Sequence, residues 1–257
     1  MRRAIALIAA MVALGACGTA GNDAGVDGPR GTPLSPGADA YIDRFLEYGK
    51  RVARASAPAE KLARSREMHA TATWRTCFYA DLDLPYDELP AEVKQRRSRA
   101  AHDSARSAEL EKSKRFMAAK GNIESRQVAA GMQVIDSLHQ EGFMMASFFG
   151  FSIHAYGYFV ERDLQRALSY MEPHAATGCT FANGVLGHFA RDGIAVQADR
   201  VEAYARFSLA REYGDDDAAR EQRDIERGMP TAQIEQARAR AAALSQQIAA
   251  ARRSKQF

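Results

Sequence analysis

The chain repeats itself at an interval of thirty-six residues between Gly142 and Ala218, and this repetition constrains its fold more than any other feature. A repeat of roughly 20–50 residues is typical of a solenoid, whose helical hairpins bury their apolar faces only against neighbouring hairpins. The sequence therefore predicts stacked hairpins and favours binding as the function. Eight coincidences share one register: Gly142, Gly178 and Gly214; Ala146, Ala182 and Ala218; Gly157 and Gly193; Val160 and Val196; Asp163 and Asp199; Ala167 and Ala203.

The recurring residue types mark where helices begin and end. Gly178 and Gly214 each follow an amphipathic run, so each is predicted to end a helix in the left-handed conformation. Asp163 and Asp199 precede such runs, where a carboxylate accepts hydrogen bonds from the first free backbone N–H groups. These two residues are therefore predicted to begin helices.

Short connectors are predicted between the paired helices, at Gly157–Val160 and Gly193–Val196. Their glycines can adopt positive φ, and we expect their valines to fill the gap between the two helices of a hairpin. The recurring alanines should keep the helices close together.

The pattern resembles the Sel-one-like repeat family, which is related to the tetratricopeptide repeats. Phe189 stands where the family usually has tyrosine, and in the preceding unit Gly150 and Phe151 replace its Leu-Gly pair. The resemblance implies an all-α fold, a right-handed α/α solenoid of Sel-one-like helical hairpins with an N-terminal helical region and a C-terminal capping helix. The match is clearest at Ala182, Leu186, Gly187, Phe189, Gly193, Val196, Asp199, Ala203, Ala210 and Gly214.

Five segments follow from this interpretation. They are a lipoprotein signal peptide at 1–16, a flexible tether at 17–36, an N-terminal helical region at 37–104, two clear repeats and one degenerate repeat at 105–220, and a capping helix at 221–257. In the degenerate repeat, Gly121 and Gly142 keep the positions that the thirty-six-residue register requires. Its first helix is predicted to lie within Ala91–Ala119. Ser125 is predicted to cap its second helix. The last helix begins at Thr231 and shows one apolar face, formed by Ile234, Ala237, Ala241, Leu244 and Ile248.

The first residues have the character of an export signal. A basic start precedes an apolar run that is too short to span a bilayer at about 1.5 Å per residue. Leu14-Gly15-Ala16-Cys17 resembles a bacterial lipobox, which implies cleavage before Cys17 and a lipid on its sulfur. An ordinary signal peptide with an incidental cysteine is the alternative. Gly18 after the cysteine favours the outer membrane, with the protein facing the periplasm.

Cys77 and Cys179 allow two interpretations. In an oxidising compartment the two thiols could form a disulfide. They could equally be two separate, small, buried side chains, because a disulfide requires Cα atoms within about 7 Å.

Charge and motifs exclude several function classes. The formal net charge is +3, and the basic run from Lys94 to Arg115 is interrupted by acidic residues, so we expect a solvated helix and no nucleic-acid partner. The chain has no Gly-rich phosphate loop, no His-Glu-x-x-His, no Gly-x-Ser-x-Gly and no Ser-x-x-Lys. We assign no catalytic residue, metal ligand or cofactor.

A partner-binding surface is expected on the first helices of successive repeats. Ala182, Leu186 and Phe189 are assigned to packing, which leaves Asn183 and His188 facing outward. The same register in the preceding repeat gives Ser147 and Ser152, with Phe148 and Phe151 as apolar anchors. The aromatic stretch Phe143–Phe159 is either a crowded core or an apolar patch open to a partner. The acidic segment Asp81–Glu88 is a second candidate surface.

The sequence thus favours a non-enzymatic, membrane-tethered protein that binds another envelope or secreted protein. One specific form of that function, by analogy with small repeat lipoproteins, is an immunity protein against a secreted antibacterial toxin. An envelope enzyme acting on cell-wall material is the alternative of another class. Leu186→Asp is expected to unfold the repeats, whereas Arg191 is expected to be solvated.

Overall fold

The protein is described here by a computed structural model that covers residues 33–54, 76–77, 86–89 and 91–254. No strand occurs in these ranges, and the all-α prediction is confirmed. A short 3-10 helix lies at Tyr86–Glu88. The α-helices are α1 (Pro36–Arg54), α2 (Ala91–Arg96), α3 (Arg99–Glu124), α4 (Val128–Gln140), α5 (Met144–Tyr156), α6 (Leu164–Ala175), α7 (Thr180–Asp192), α8 (Arg200–Glu212), α9 (Asp216–Glu226) and α10 (Thr231–Ser254).

The sequence repeat is also a structural repeat. Helices α5, α7 and α9 begin at Met144, Thr180 and Asp216, and helices α6 and α8 begin at Leu164 and Arg200, so equivalent helices start thirty-six residues apart. The predicted array of helical hairpins is therefore confirmed. It extends to α9, which begins a third unit in the same register.

The predicted helix boundaries have the expected chemistry. The side chain of Asp163 accepts a hydrogen bond from the backbone N–H of Arg166, and that of Asp199 accepts from Val201. The glycines that end or connect the helices have positive φ angles of 75° at Gly142, 74° at Gly157, 83° at Gly178, 68° at Gly193 and 95° at Gly214. Phe159 and Ala195, which are equivalent in the two repeats, also have positive φ, at 63° and 62°.

The C-terminal helix closes the array as expected. Helix α10 packs on α8, where Leu244 and Ile248 bury their side chains against Ala205 and Leu209. Near its C-terminus, the Nε of Arg252 donates a hydrogen bond of 2.9 Å to the carbonyl oxygen of Thr177, just beyond the end of α6. A second cluster joins α7, α8, α9 and α10 through Ala190, Ala203, Tyr204, Phe207, Ala210, Ala218, Ile225, Met229 and Ala237.

The described residues divide into two compact units, one formed by 46–54, 76–77, 86–89 and 91–150, and the other by 33–45 and 151–254. In the first unit, α3 packs on α4. Phe116 is fully buried there and meets the rings of Phe143 and Phe149 edge-on at 6.0 and 5.6 Å. The second unit contains the repeats from Phe151 onward and, at its start, the first residues of α1.

Several local predictions were wrong. Ser125 follows the end of α3 and does not cap α4, whose N-cap is Gln127 with no side-chain hydrogen bond. Gly121 lies within α3, and Arg126 adopts the positive φ of the connector. The helix expected from Ala91 is broken before Ser98, whose hydroxyl begins α3 instead.

Val196 was also assigned wrongly. Its side chain is 41% exposed and does not fill the gap within its hairpin.

The predicted signal peptide and Cys17 lie outside the described residues. No helix in the described ranges combines the length and the apolar character needed to cross a membrane.

Candidate partner-binding surface

In the first unit, Ser147 and Phe148 are buried rather than open to a partner. The Oγ of Ser147 lies 2.9 Å from Nδ1 of His139 and donates to the carbonyl oxygen of Phe143 at 3.3 Å. These two hydrogen bonds of Ser147 are made within its own unit.

The aromatic stretch forms a core. Phe143, Phe148, Phe149 and Phe151 are at most 2% exposed, so the crowded-core interpretation holds for these four rings. In the second unit, Phe151 meets the ring of Phe189 at 6.0 Å. The expectation that Phe148 and Phe151 form an open apolar anchor is wrong. Ser152 is half-buried.

Asn183 and His188 do not face outward, and that prediction is wrong. Asn183 is 1% exposed, and its Nδ2 donates to the carbonyl oxygens of Ala175 and Cys179 at 3.1 and 3.0 Å. His188 is fully buried. The physical reason is that every residue of α7 from Thr180 to Ala190 is buried. Helices α6 and α8 both pack on α7. The first residues of α1 cover a further side of α7, where Tyr41 meets Phe181 and His188.

Tyr41 of α1 is the centre of this third contact. Its ring stacks on that of Phe181, with centroids 5.7 Å apart and planes 11° apart, and lies 5.1 Å from the imidazole of His188. Its hydroxyl donates to Oδ2 of Asp215 at 2.6 Å and lies 3.4 Å from the carbonyl oxygen of Thr180. We call Phe181, Gly184, His188 and Asp215 the docking face, and Pro33–Phe45 the docking segment.

Gly184 makes this contact possible. A Cβ atom at this position would lie 2.1 Å from the Tyr41 hydroxyl oxygen and 2.2 Å from Cζ. Only a glycine leaves room for the ring, because real Cβ contacts are never that short. A glycine inside an otherwise well-formed helix indicates a close approach of this kind, and this is the one signal in the sequence that pointed to the docking face.

Polar contacts surround the Tyr41 ring. Arg44 forms an ion pair with Asp217 at 2.5 Å. Tyr156 donates a hydrogen bond to Asp39 at 3.0 Å, and Ser35 donates one to Asp192 at 2.5 Å. The docking segment is therefore held by a buried aromatic centre and a polar rim, which is the anatomy of an interface between proteins.

Arg191 belongs to the same rim and is not simply solvated, contrary to expectation. Its guanidinium pairs with Asp192 and with Glu221. The site that a Cβ on Gly37 would occupy is already filled by that guanidinium. The ion pair with Glu221 thus links α7 to α9, while the same guanidinium packs against the docking segment at Gly37.

His188 brings a titratable imidazole to the docking face. Neither of its ring nitrogens has a hydrogen-bond partner among the described residues. Burial, with a smaller contribution from the charge of Arg191, lowers its pKa to about 3. His188 is therefore neutral while the docking segment covers it.

The other candidate sites are less well defined. Cys77 and Cys179 are both disulfide-bonded cysteines, but that they bond to each other stays a prediction, which peptide mapping without reduction would test. Of the acidic segment Asp81–Glu88, residues 81–85 lie outside the described ranges, and the carboxylate of Asp87 pairs with Arg99. Within the described part of the chain, no group of three or more His, Cys, Asp or Glu residues could hold a metal ion.

No protein-family model and no curated protein matches the chain. A solved structure that resembles it is that of c5321, a protective antigen present in uropathogenic Escherichia coli strains and described as displaying an SLR fold. The two share 16% sequence identity with a TM-score of 0.47, and the match covers 85% of this chain and 48% of that one. The chain thus spans about half the length of that protein.

Proposed function

We propose that the protein is a non-enzymatic, lipid-anchored protein of the bacterial envelope that binds a helical segment of another protein on the docking face. One observation carries this proposal: the docking face already holds a helix, the first turns of α1, by stacking, hydrogen bonding and an ion pair. A surface that accommodates one amphipathic helix can accommodate another with the same side chains, as in other helix-in-groove complexes.

The occupied state explains how such a surface stays soluble when no partner is bound. Phe181 is 1% exposed and His188 is fully buried beneath Tyr41. If the docking segment moved away, these rings would form an apolar patch of the kind that marks interaction sites. The docking segment therefore protects the surface that we propose to be functional.

Affinity capture with three forms of the full chain tests this function. Tyr41→Ala should expose the docking face and increase capture of an envelope protein. Adding Gly184→Leu should fill the vacated space and abolish capture, with an unchanged far-ultraviolet circular dichroism spectrum. The captured protein is then purified and titrated against all three forms. Equal affinity for all three would contradict the proposal.

Membrane anchoring needs a separate test. The lipobox-like sequence that ends at Cys17 supports it. The Cys17→Ser variant should leave the membrane fraction, while the parent stays in it. A variant that remains membrane-bound would contradict lipid attachment at this residue.

A further inference from the structure

We propose that the docking face is a tyrosine-selective helix-binding site, and that the docking segment Pro33–Phe45 is its displaceable internal ligand. This inference rests on the proposed function and specifies the chemistry of the partner. The partner is a helix that presents a small residue, a tyrosine three positions later, and then an arginine and a phenylalanine three and four positions after the tyrosine.

Shape selects an aromatic ring at the centre. The missing side chain of Gly184 creates a space that Tyr41 fills, and the ring of Phe181 forms one wall of that space. Glycine within a helix destabilises it by about 1 kcal/mol relative to alanine, so its presence here is explained by what it accommodates. An aliphatic side chain would lose the parallel stack on Phe181.

The hydroxyl group selects tyrosine over phenylalanine. Oδ2 of Asp215 accepts from Tyr41, while Oδ1 accepts from the backbone N–H of Ala218 at 3.0 Å as the N-cap of α9. The capping bond fixes the carboxylate, and the free oxygen points at the incoming hydroxyl. Burial and the negative charge of Asp215 keep the pKa of Tyr41 well above its ordinary value, so the hydroxyl stays a donor. A phenylalanine would leave that carboxylate oxygen without this bond.

The neighbouring contacts set the register of the bound helix. Phe45, one turn after Tyr41, lies 4.2 Å from the ring of Phe181, and Arg44 pairs with Asp217. Ala38, one turn before Tyr41, is 1% exposed, which leaves room only for a small side chain. Residues at these spacings share one face of a helix, so a partner helix can reproduce all four contacts together.

The internal ligand competes with any partner through its covalent attachment. A tethered segment has an effective concentration on the order of millimolar, so an external helix of similar intrinsic affinity is held off until the segment is released. The rim contacts that hold the segment are partly exposed; the Arg44 side chain, for example, is 47% exposed. A partner can therefore displace the segment progressively from its edge.

A synthetic helix peptide corresponding to Pro33–Leu46 tests the inference with the full chain. The peptide should bind the Tyr41→Ala chain at least about tenfold more tightly than the parent, whose own segment competes. A peptide carrying Tyr41→Phe should bind the Tyr41→Ala chain roughly tenfold to hundredfold more weakly, the usual effect of losing a hydrogen bond to a charged group. The Tyr41→Ala, Gly184→Leu double variant should bind neither peptide.

Controls separate this inference from the proposed function. Arg44→Glu repels Asp217 and serves as a second released form if Tyr41→Ala lowers the helix content. Equal affinity for the two peptides, or binding to the Gly184→Leu double variant, would overturn the tyrosine site. If the peptides behave as expected but no envelope protein is captured, the proposed function fails while the site stands. If a protein is captured and the peptide does not compete with it, the binding of an envelope protein stands, but its location on the docking face and the tyrosine site are wrong.

Discussion

The hydroxyl oxygen of Tyr41 lies 2.6 Å from Oδ2 of Asp215, although 174 residues separate the two in the sequence. Tyr41→Phe should therefore destabilise the chain by about 1.5–3 kcal/mol, because it removes a hydrogen bond to a carboxylate and leaves the aromatic packing intact. Urea denaturation measures the change. Asp215→Asn should destabilise the chain less than Asp215→Ala does, because an asparagine side chain can still cap α9. Equal midpoints for Tyr41→Phe and the parent would show that the bond contributes nothing.

Gly184→Ala should destabilise the protein by about 1–3 kcal/mol, because the new methyl group overlaps the Tyr41 ring. Gly121→Ala is a matched control in α3, where a Cβ would meet nothing within 4 Å. The control should raise stability by up to about 1 kcal/mol through helix propensity. Thermal melting of both variants gives the comparison, and the prediction fails if the two substitutions shift the melting temperature in the same direction.

Ala195→Gly should stabilise the protein by about 0.5–1 kcal/mol. Ala195 has a φ of 62°, where a Cβ atom is unfavourable and glycine is not. Ala239→Gly, at an exposed position within α10, should have the opposite sign and cost about 1 kcal/mol. Denaturant midpoints measure both. A loss of stability in Ala195→Gly would mean that the strain is compensated elsewhere.

Acid should weaken the fold through His188. Its folded pKa of about 3 lies below the unfolded value of about 6.5, so its contribution is fully present above pH 6.5 and is lost as the pH falls towards 3. Between pH 7.5 and 5.0, the free energy of unfolding should fall by about 2 kcal/mol more in the parent than in His188→Phe.

The groups that face His188 support that comparison. Tyr41, Arg191, Asp192 and Arg44 face its ring and are unchanged by the substitution. The carboxylate of Asp192, which pairs with Arg191, has a lowered pKa and stays ionised over this pH range. If the free energy of unfolding depends on pH in the same way in the parent and in His188→Phe, His188 is not the source of the acid sensitivity.

Leu186→Asp should unfold the repeats. Leu186 is only 9% exposed, and a buried carboxylate without a partner costs several kcal/mol, a large part of the roughly 5–15 kcal/mol that stabilises a domain. Arg191→Ala, which breaks pairs with Asp192 and Glu221 at the partly exposed rim, should cost about 1 kcal/mol or less. Circular dichroism measures both, and a folded Leu186→Asp variant would contradict the packing assignment.

The helix boundaries of the repeats could be predicted because their chemistry is local. Asp163 and Gly178 each act on a backbone group within a few residues, and the structure bears out both. Ser125 shows the limit of this reasoning, because a serine near a helix end can lie beyond the last turn as readily as before the first one. Val196 shows another limit, since periodicity alone does not tell whether a recurring apolar residue is covered.

The docking face could not be predicted, because its contacts are long-range. The N-terminal helical region was expected, but nothing near Tyr41 in the sequence indicates that its ring reaches Gly184. Asn183 and His188 were assigned outward orientations by elimination, which assumed that α7 has one free side. In the structure α1 covers that side of α7. Gly184 is the residue whose type indicates this contact in the sequence.

The contact between the docking segment and α7 also has a consequence for the order of folding. The docking segment leaves the ribosome first, and Asp215 follows 174 residues later. At about 5–20 residues per second, this delay is roughly 10–35 seconds. Until Phe181, Gly184 and His188 have been synthesised, the ring of Tyr41 lacks the surface that it packs against in the folded chain. The repeats, whose contacts are more local, can form before this closure of a long loop. The nascent chain therefore exposes the ring of Tyr41 until α7 can cover it, and the bond from its hydroxyl group forms only once Asp215 has been added.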